Sequence, residues 1–154
     1  MTRAKTPGGE RGASLLELAF IVPVLALVVM GTLDLVRGYR LQIELSNAAR
    51  EGAAFAQLAP NDVSCSPGDD ITERVLAENA DLSSLPGFEI AVFEEDGAGE
   101  PTVPVTGCGT GSASSGERVL VEVSADHQIL TPMVERIVGS TIRITGASEV
   151  EVQG

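Results

Sequence analysis

The sequence predicts an α+β protein: a long N-terminal membrane-spanning helix leaning on a small antiparallel β-sheet, with one short extra helix. Three observations predict it. Residues 18–33 carry no charge; small and apolar residues then recur at intervals of three and four through residues 41–59; and three later segments alternate apolar with polar side chains. A chain of 154 residues has room for one modest domain beside such a helix. With aromatics at 3%, no Trp and one Tyr, the core of that domain must rest on Val, Ile, Leu and Ala.

The helix comes first. Residues 15–36 are apolar except at Glu17, Gly31, Thr32 and Asp34, and at 1.5 Å per residue they reach about 33 Å, enough for a bilayer core. No second run compares with it, so one crossing is expected. Arg3, Lys5 and Arg11 before the run, against Arg37 and Arg40 after it, favour a cytoplasmic N-terminus. An ordinary signal peptide fits less well, because the uncharged run is long and no A-x-A site follows it. Pro23 removes a backbone donor inside the run, which predicts a kink or local loosening over residues 19–23. Gly31 and Gly38 offer small positions for another helix, although their spacing makes no GxxxG pair. Asp34 and Arg37, three apart, read as an exposed interfacial pair with no assigned function.

Past the membrane, Leu41, Leu45, Ala48, Ala49, Gly52, Phe55, Ala56 and Ala59 form a narrow stripe of small residues, while Arg40, Glu44, Arg50 and Glu51 fall elsewhere. The same helix therefore extends over residues 14–59, about 70 Å if straight, and lays this stripe on a small domain or on other helices. Pro60, Asn61 and Asp62 end it. Ile71, Val75 and Leu76 suggest a short helix over residues 70–80. Strands are expected over residues 88–94, 118–125 and 141–152, in an antiparallel meander. Residues 94–116, rich in Gly, Ser and acid, read as a long loop, and Pro132 as a turn before a brief helix over residues 133–138. Cys65 and Cys108 both follow the membrane segment, in what this topology makes an oxidising space. Their pairing would close a loop of about 43 residues, worth roughly 4 kcal/mol; two unpaired buried thiols are the other reading.

Other chemistries find little support. The net charge is -12 although the stretch through Gly12 is basic, so the body is too acidic to suit nucleic acid. His127 is the sole histidine and shares no nucleophile motif with either cysteine. Gly107-Cys108-Gly109-Thr110-Gly111 lacks the P-loop lysine and a strand-to-helix setting. Glu94-Glu95-Asp96-Gly97 with Glu100 offers oxygen ligands but misses the EF-hand order, so a solvated acidic loop is expected rather than a calcium site. No enzyme activity, cofactor, metal or small-molecule substrate is expected.

Taken together, Gly12, residues 13–16, Glu17 and the run Ile21-Val22-Pro23-Val24-Leu25 resemble the start of TadE-like minor pseudopilins of tight-adherence (Tad, or Flp) pilus systems. Asn47-Ala48-Ala49-Arg50-Glu51-Gly52-Ala53-Ala54 is similar to the family's Asn-Ala-Ala-Arg-Glu-Gly-Ala-Arg block, and the two matches cover residues 11–59. Leu18 stands where many relatives carry Phe, and Ala54 where a second arginine is common. Residues 130–144 also resemble the family's closing pattern.

The resemblance implies a prepilin-type leader over residues 1–12, a long helix over 13–60 and an extracytoplasmic, pilin-like domain over 61–154. It implies cleavage between Gly12 and Ala13 by a prepilin peptidase, where glycine gives the backbone freedom to enter a protease. The new amine of Ala13 would then lie one helical turn from Glu17, able to pair with it or with the Glu17 of a neighbour. Implied partners are the membrane, the peptidase, and other pseudopilins or assembly-platform proteins. The implied location is the cytoplasmic membrane, with possible incorporation in a pilus. The rival reading is an unprocessed, single-pass anchored protein whose outer domain binds a ligand.

Overall fold

One helix, α1 (Gly9–Leu58), carries both the apolar run and the small-residue stripe without interruption. The computed structural model describes residues 9–59, 70–96, 100–101 and 116–153. After α1 come α2 (Asp70–Glu78), a 3-10 turn (Ala80–Ser84), β1 (Glu89–Asp96), β2 (Glu100–Pro101), β3 (Arg118–Gln128), α3 (Pro132–Val138) and β4 (Thr141–Glu151). The strands form one antiparallel sheet in the order β2-β1-β3-β4. This is the expected α+β arrangement of a long helix, a small sheet and a short extra helix.

Several boundaries move. α1 starts at Gly9, ahead of the expected start at residue 14, and the helix runs on through Pro23. The proline ring lacks the N–H that would reach the Ala19 carbonyl, so one rung is missing from the ladder while the helix continues. The stretch expected to be a loop over residues 94–116 contains β2, which pairs Glu95 with Pro101 and Asp96 with Glu100. Pro101 is tolerated because β2 is an edge strand, where a missing donor costs no interior rung. The 3-10 turn after α2 was not expected; Asn79 caps it, its Oδ1 accepting from the Asp81 amide at 3.0 Å.

Alternation along β3 builds one wall of the core. Val119, Val121, Val123 and Ala125 are fully buried on one face, and the register sets Ile90 beside Val123 and Val92 beside Val121 on β1. Each such aliphatic side chain, fully buried, contributes about 1.5–3 kcal/mol relative to exposure. α1 supplies the other wall through Leu45, Ala48, Ala49, Ala53 and Ala56, and α2 closes the side with Ile71 and Val75.

Small side chains on α1 set how closely the layers approach. A Cβ added at Gly52 would lie 2.9 Å from Val75 Cγ2 and 3.2 Å from Val121 Cγ1. The sheet answers with its own glycine: a Cβ at Gly146 of β4 would lie 2.4 Å from both the Leu45 carbonyl carbon and the Ser46 nitrogen. Here the neighbour is backbone, which cannot rotate away. The opposite sheet face is solvated. Arg143 donates there to Glu89 and, at 2.8 Å, to Ser124 Oγ, and Arg118 pairs with Glu149 at 3.0 Å; such half-exposed pairs contribute little.

Gly146→Ala is expected to force α1 off β4 and lower stability by about 1–3 kcal/mol, the usual cost of overpacking. Chemical denaturation of the detergent-solubilised chain, followed through loss of sheet signal, measures it. An unchanged midpoint would mean that helix and sheet do not touch at this point.

Candidate membrane and assembly interface

The N-terminal half of α1 projects away from the sheet. Leu15, Phe20, Val24, Leu25 and Val28 are each more than half exposed, and α1 contains one 18-residue window apolar enough to cross a membrane, none of it buried in the fold. Such a row exposed to water would be unfavourable; lipid or other apolar helices are the solvents it suits. Thr32, the polar side chain within this row, donates its hydroxyl to the Val28 carbonyl at 2.7 Å and so brings no unmet donor into the apolar layer.

Glu17 is exposed one turn beyond Ala13 on the same helix. The backbone at Gly12 and Ala13 is helical, because α1 begins three residues earlier. Of the block singled out at residues 47–52, Ala48, Ala49 and Gly52 are buried against the sheet and α2, and Asn47 is half-buried. Arg50 and Glu51 are exposed and face away from that packing. Their arrangement gives the block two sides: a smooth one that fixes the sheet domain, and a charged one open to solvent. Cys65 and Cys108 lie outside the described residues, as do the side chains of the acidic segment at residues 94–100.

Asp34 corrects the sequence reading. Expected as an exposed partner of Arg37, it is instead buried at 8% exposure, where α1 meets the segment leading into α3. Its Oδ2 accepts from the Thr131 amide at 2.8 Å and from the Thr131 hydroxyl at 2.5 Å, and its Oδ1 accepts from the Leu130 amide at 3.3 Å. A carboxylate with three donors is adequately solvated by protein, which explains why this charge can be buried. Thr131 precedes α3 as its N-cap but makes no side-chain capping bond, its hydroxyl being committed to Asp34. The signal was present in the sequence as an acid at the end of an apolar run and a Thr-Pro pair before a helix. Nothing in their spacing linked them.

Beside this clamp, an apolar cavity of about 470 Å³ runs between α1 and the sheet, lined by Gly31, Leu35, Gly38, Ile129, Ile144 and the His127 ring among others. His127 Nε2 is buried without a hydrogen-bond partner among the described residues. Gly38, expected to admit a foreign helix, faces this same cavity: its Cβ would touch His127 Cδ2 and Ile144 Cδ1, both at 3.6 Å. Gly31 has nothing within 4 Å. Among the described residues no group of three or more His, Cys, Asp or Glu side chains is placed to hold a metal ion.

These features define a class: a small α+β domain built on the distal half of a helix whose proximal half is of membrane-crossing length and apolar character. Residues 12–54 match the family model described as TadE-like protein, so this segment of the chain is similar to TadE-like proteins. The match begins at Gly12 and takes in Glu17, Asp34 and the block at residues 47–52. No curated protein and no solved structure matches the chain.

Asp34→Ala is expected to strand three donors and cost about 1–3 kcal/mol for each one left buried without water. Hydrogen exchange locates the effect: the Leu130 and Thr131 amides should lose protection while the centre of β3 keeps its own. Equal loss across the sheet would contradict a local clamp.

Proposed function

We propose that the chain is a minor pseudopilin that takes part in assembling a Tad-type pilus after a prepilin peptidase removes its first twelve residues. The reading is carried by one observation: the family match starts at the glycine of the expected cut and runs along α1 into the part of the helix that packs on the sheet. The division of labour along α1 supports it. One half is free and apolar, as lateral packing in lipid or in a fibre requires, while the other is occupied in holding the domain. No catalytic step is assigned to the protein itself.

On this reading the first turns of α1 open to present the Gly12–Ala13 bond, since a protease binds its substrate extended. Glycine lowers the cost of that opening, being about 1 kcal/mol less favourable than alanine within a helix. Ala13 then begins the mature chain with a charged amine. Glu17, exposed in an apolar setting, gains by meeting an amine, its own or a neighbour's, because an unpaired carboxylate at this depth is costly. Pairing with a neighbour would set the height at which subunits join. The mature protein on this reading is a single-pass protein of the cytoplasmic membrane, its sheet domain outside.

N-terminal sequencing of the membrane-extracted protein tests the processing: Ala13 is expected as the first residue, and Gly12→Val should leave the leader in place. Recovery of Met1 or Thr2 from cells with a working peptidase would favour the unprocessed anchor with a binding domain. For Glu17→Ala, the membrane level of the protein should stay the same while co-purification with its partner pseudopilins falls at least tenfold, the equivalent of about 1.4 kcal/mol. Full co-purification would remove Glu17 from assembly.

A further inference from the structure

α3 is an anomaly by ordinary packing rules. None of its residues is buried, and Met133, Ile137 and Val138 are exposed at 58%, 84% and 54%. Leu130 just before it is exposed as well. A seven-residue helix is too short to hold itself in water and is ordinarily kept by the apolar face it buries. Here that face is turned outward.

Its position along α1 says what it meets. Asp34 directly follows the uncharged run at residues 18–33, and its hydrogen bonds fix Leu130 and Thr131 at that height. Pro132 starts α3 at once, so at 1.5 Å per residue no part of α3 lies farther than about 10 Å from this level. Interfacial helices lie with their apolar face about 5–10 Å into the boundary between headgroups and acyl chains, so an element held this near the end of the uncharged run is within reach of that layer. The exposed apolar surface continues onto α1 at Leu35 and Tyr39, and the cavity between α1 and the sheet, which Val134 of α3 also lines, reaches down to Gly31, within the uncharged run.

Charge agrees. The chain as a whole is strongly acidic, yet residues 34–40 of α1 and the short α3 together carry exposed Arg37, Arg40 and Arg136 against one exposed acid, Glu135, with Glu44 a turn farther along α1. Arginines bordering an apolar face, with a tyrosine beside them, suit lipid phosphates and the interfacial layer.

We propose that α3 is a second membrane contact, a foot that rests in the outer-leaflet interface beside α1 and fixes the sheet domain against the bilayer surface. The proposal rests on α1 crossing the membrane. The occupant of the face is lipid, with acyl chains reaching the cavity above Gly31. By this account Asp34 sets the height of the domain as well as its attachment.

The chain has no Trp, so single-tryptophan variants of the full chain report depth directly. Ile137→Trp, Leu25→Trp and Leu58→Trp are each reconstituted in vesicles of phosphatidylglycerol and phosphatidylcholine, the latter brominated at a shallow or a deep acyl position. I137W should emit blue-shifted and be quenched most by the shallow bromine. L25W should be quenched most by the deep one, and L58W, exposed at the far end of α1, by neither. Emission from I137W that is red and unquenched, while L25W is quenched, overturns the foot and leaves the crossing helix intact. Blue-shifted but unquenched emission from I137W overturns it in favour of a protein partner or a second copy on that face. Loss of quenching in L25W overturns the crossing helix, and the foot with it.

Discussion

Contact between the backbone of α1 and the backbone of β4 holds the rest of the structure in place. With Gly146 set against Leu45 and Ser46, the helix lies close enough for alanines, rather than large side chains, to fill the space over Val121 and Val123. The low aromatic content is thereby accommodated. A core of Val, Ala, Leu and Ile remains dry only if the layers are near one another, and close approach in turn requires small residues at the crossing. Glycine at residues 52 and 146 and alanine at 48, 49, 53 and 56 are parts of one geometric requirement.

That requirement explains which portion of the fold was legible in the sequence. The stripe from Leu41 to Ala59 announced itself through helical spacing, and the alternation of Ile90 and Val92 and of Val119, Val121 and Val123 fixed which faces of β1 and β3 are buried. Both are periodic signals, and periodicity survives in one dimension. Less visible were features that depend on ends and edges. The two residues of β2 are too few to alternate, the continuation of β3 to Gln128 passes through polar residues, and the helix start at Gly9 has no apolar onset to mark it.

The site divides along the same line. Gly12, Glu17 and the block at residues 47–52 could be read because they are contiguous, and the family match covers all of them. Asp34 could not. Its partners lie 96 and 97 positions away, and the nearer cation at Arg37 offered a local explanation for its charge. A buried carboxylate satisfied by a distant backbone turn leaves no local pattern. The same holds for His127, one of three consecutive polar residues in the sequence and part of an apolar cavity wall in the fold.

The wide separation of Asp34 from Leu130 and of Leu45 from Gly146 also imposes an order of events on biosynthesis. α1 leaves the ribosome long before the strands that cover it, so its small-residue stripe stays bare until β3 and β4 have been made, and contacts this distant form late because closing the intervening loop costs entropy first. During that interval an apolar helix of membrane-crossing length would be free to enter a bilayer while the sheet domain is still unmade. For a chain whose apolar helix suits a bilayer, anchoring would then precede shaping, and the sheet would assemble on a helix already in place.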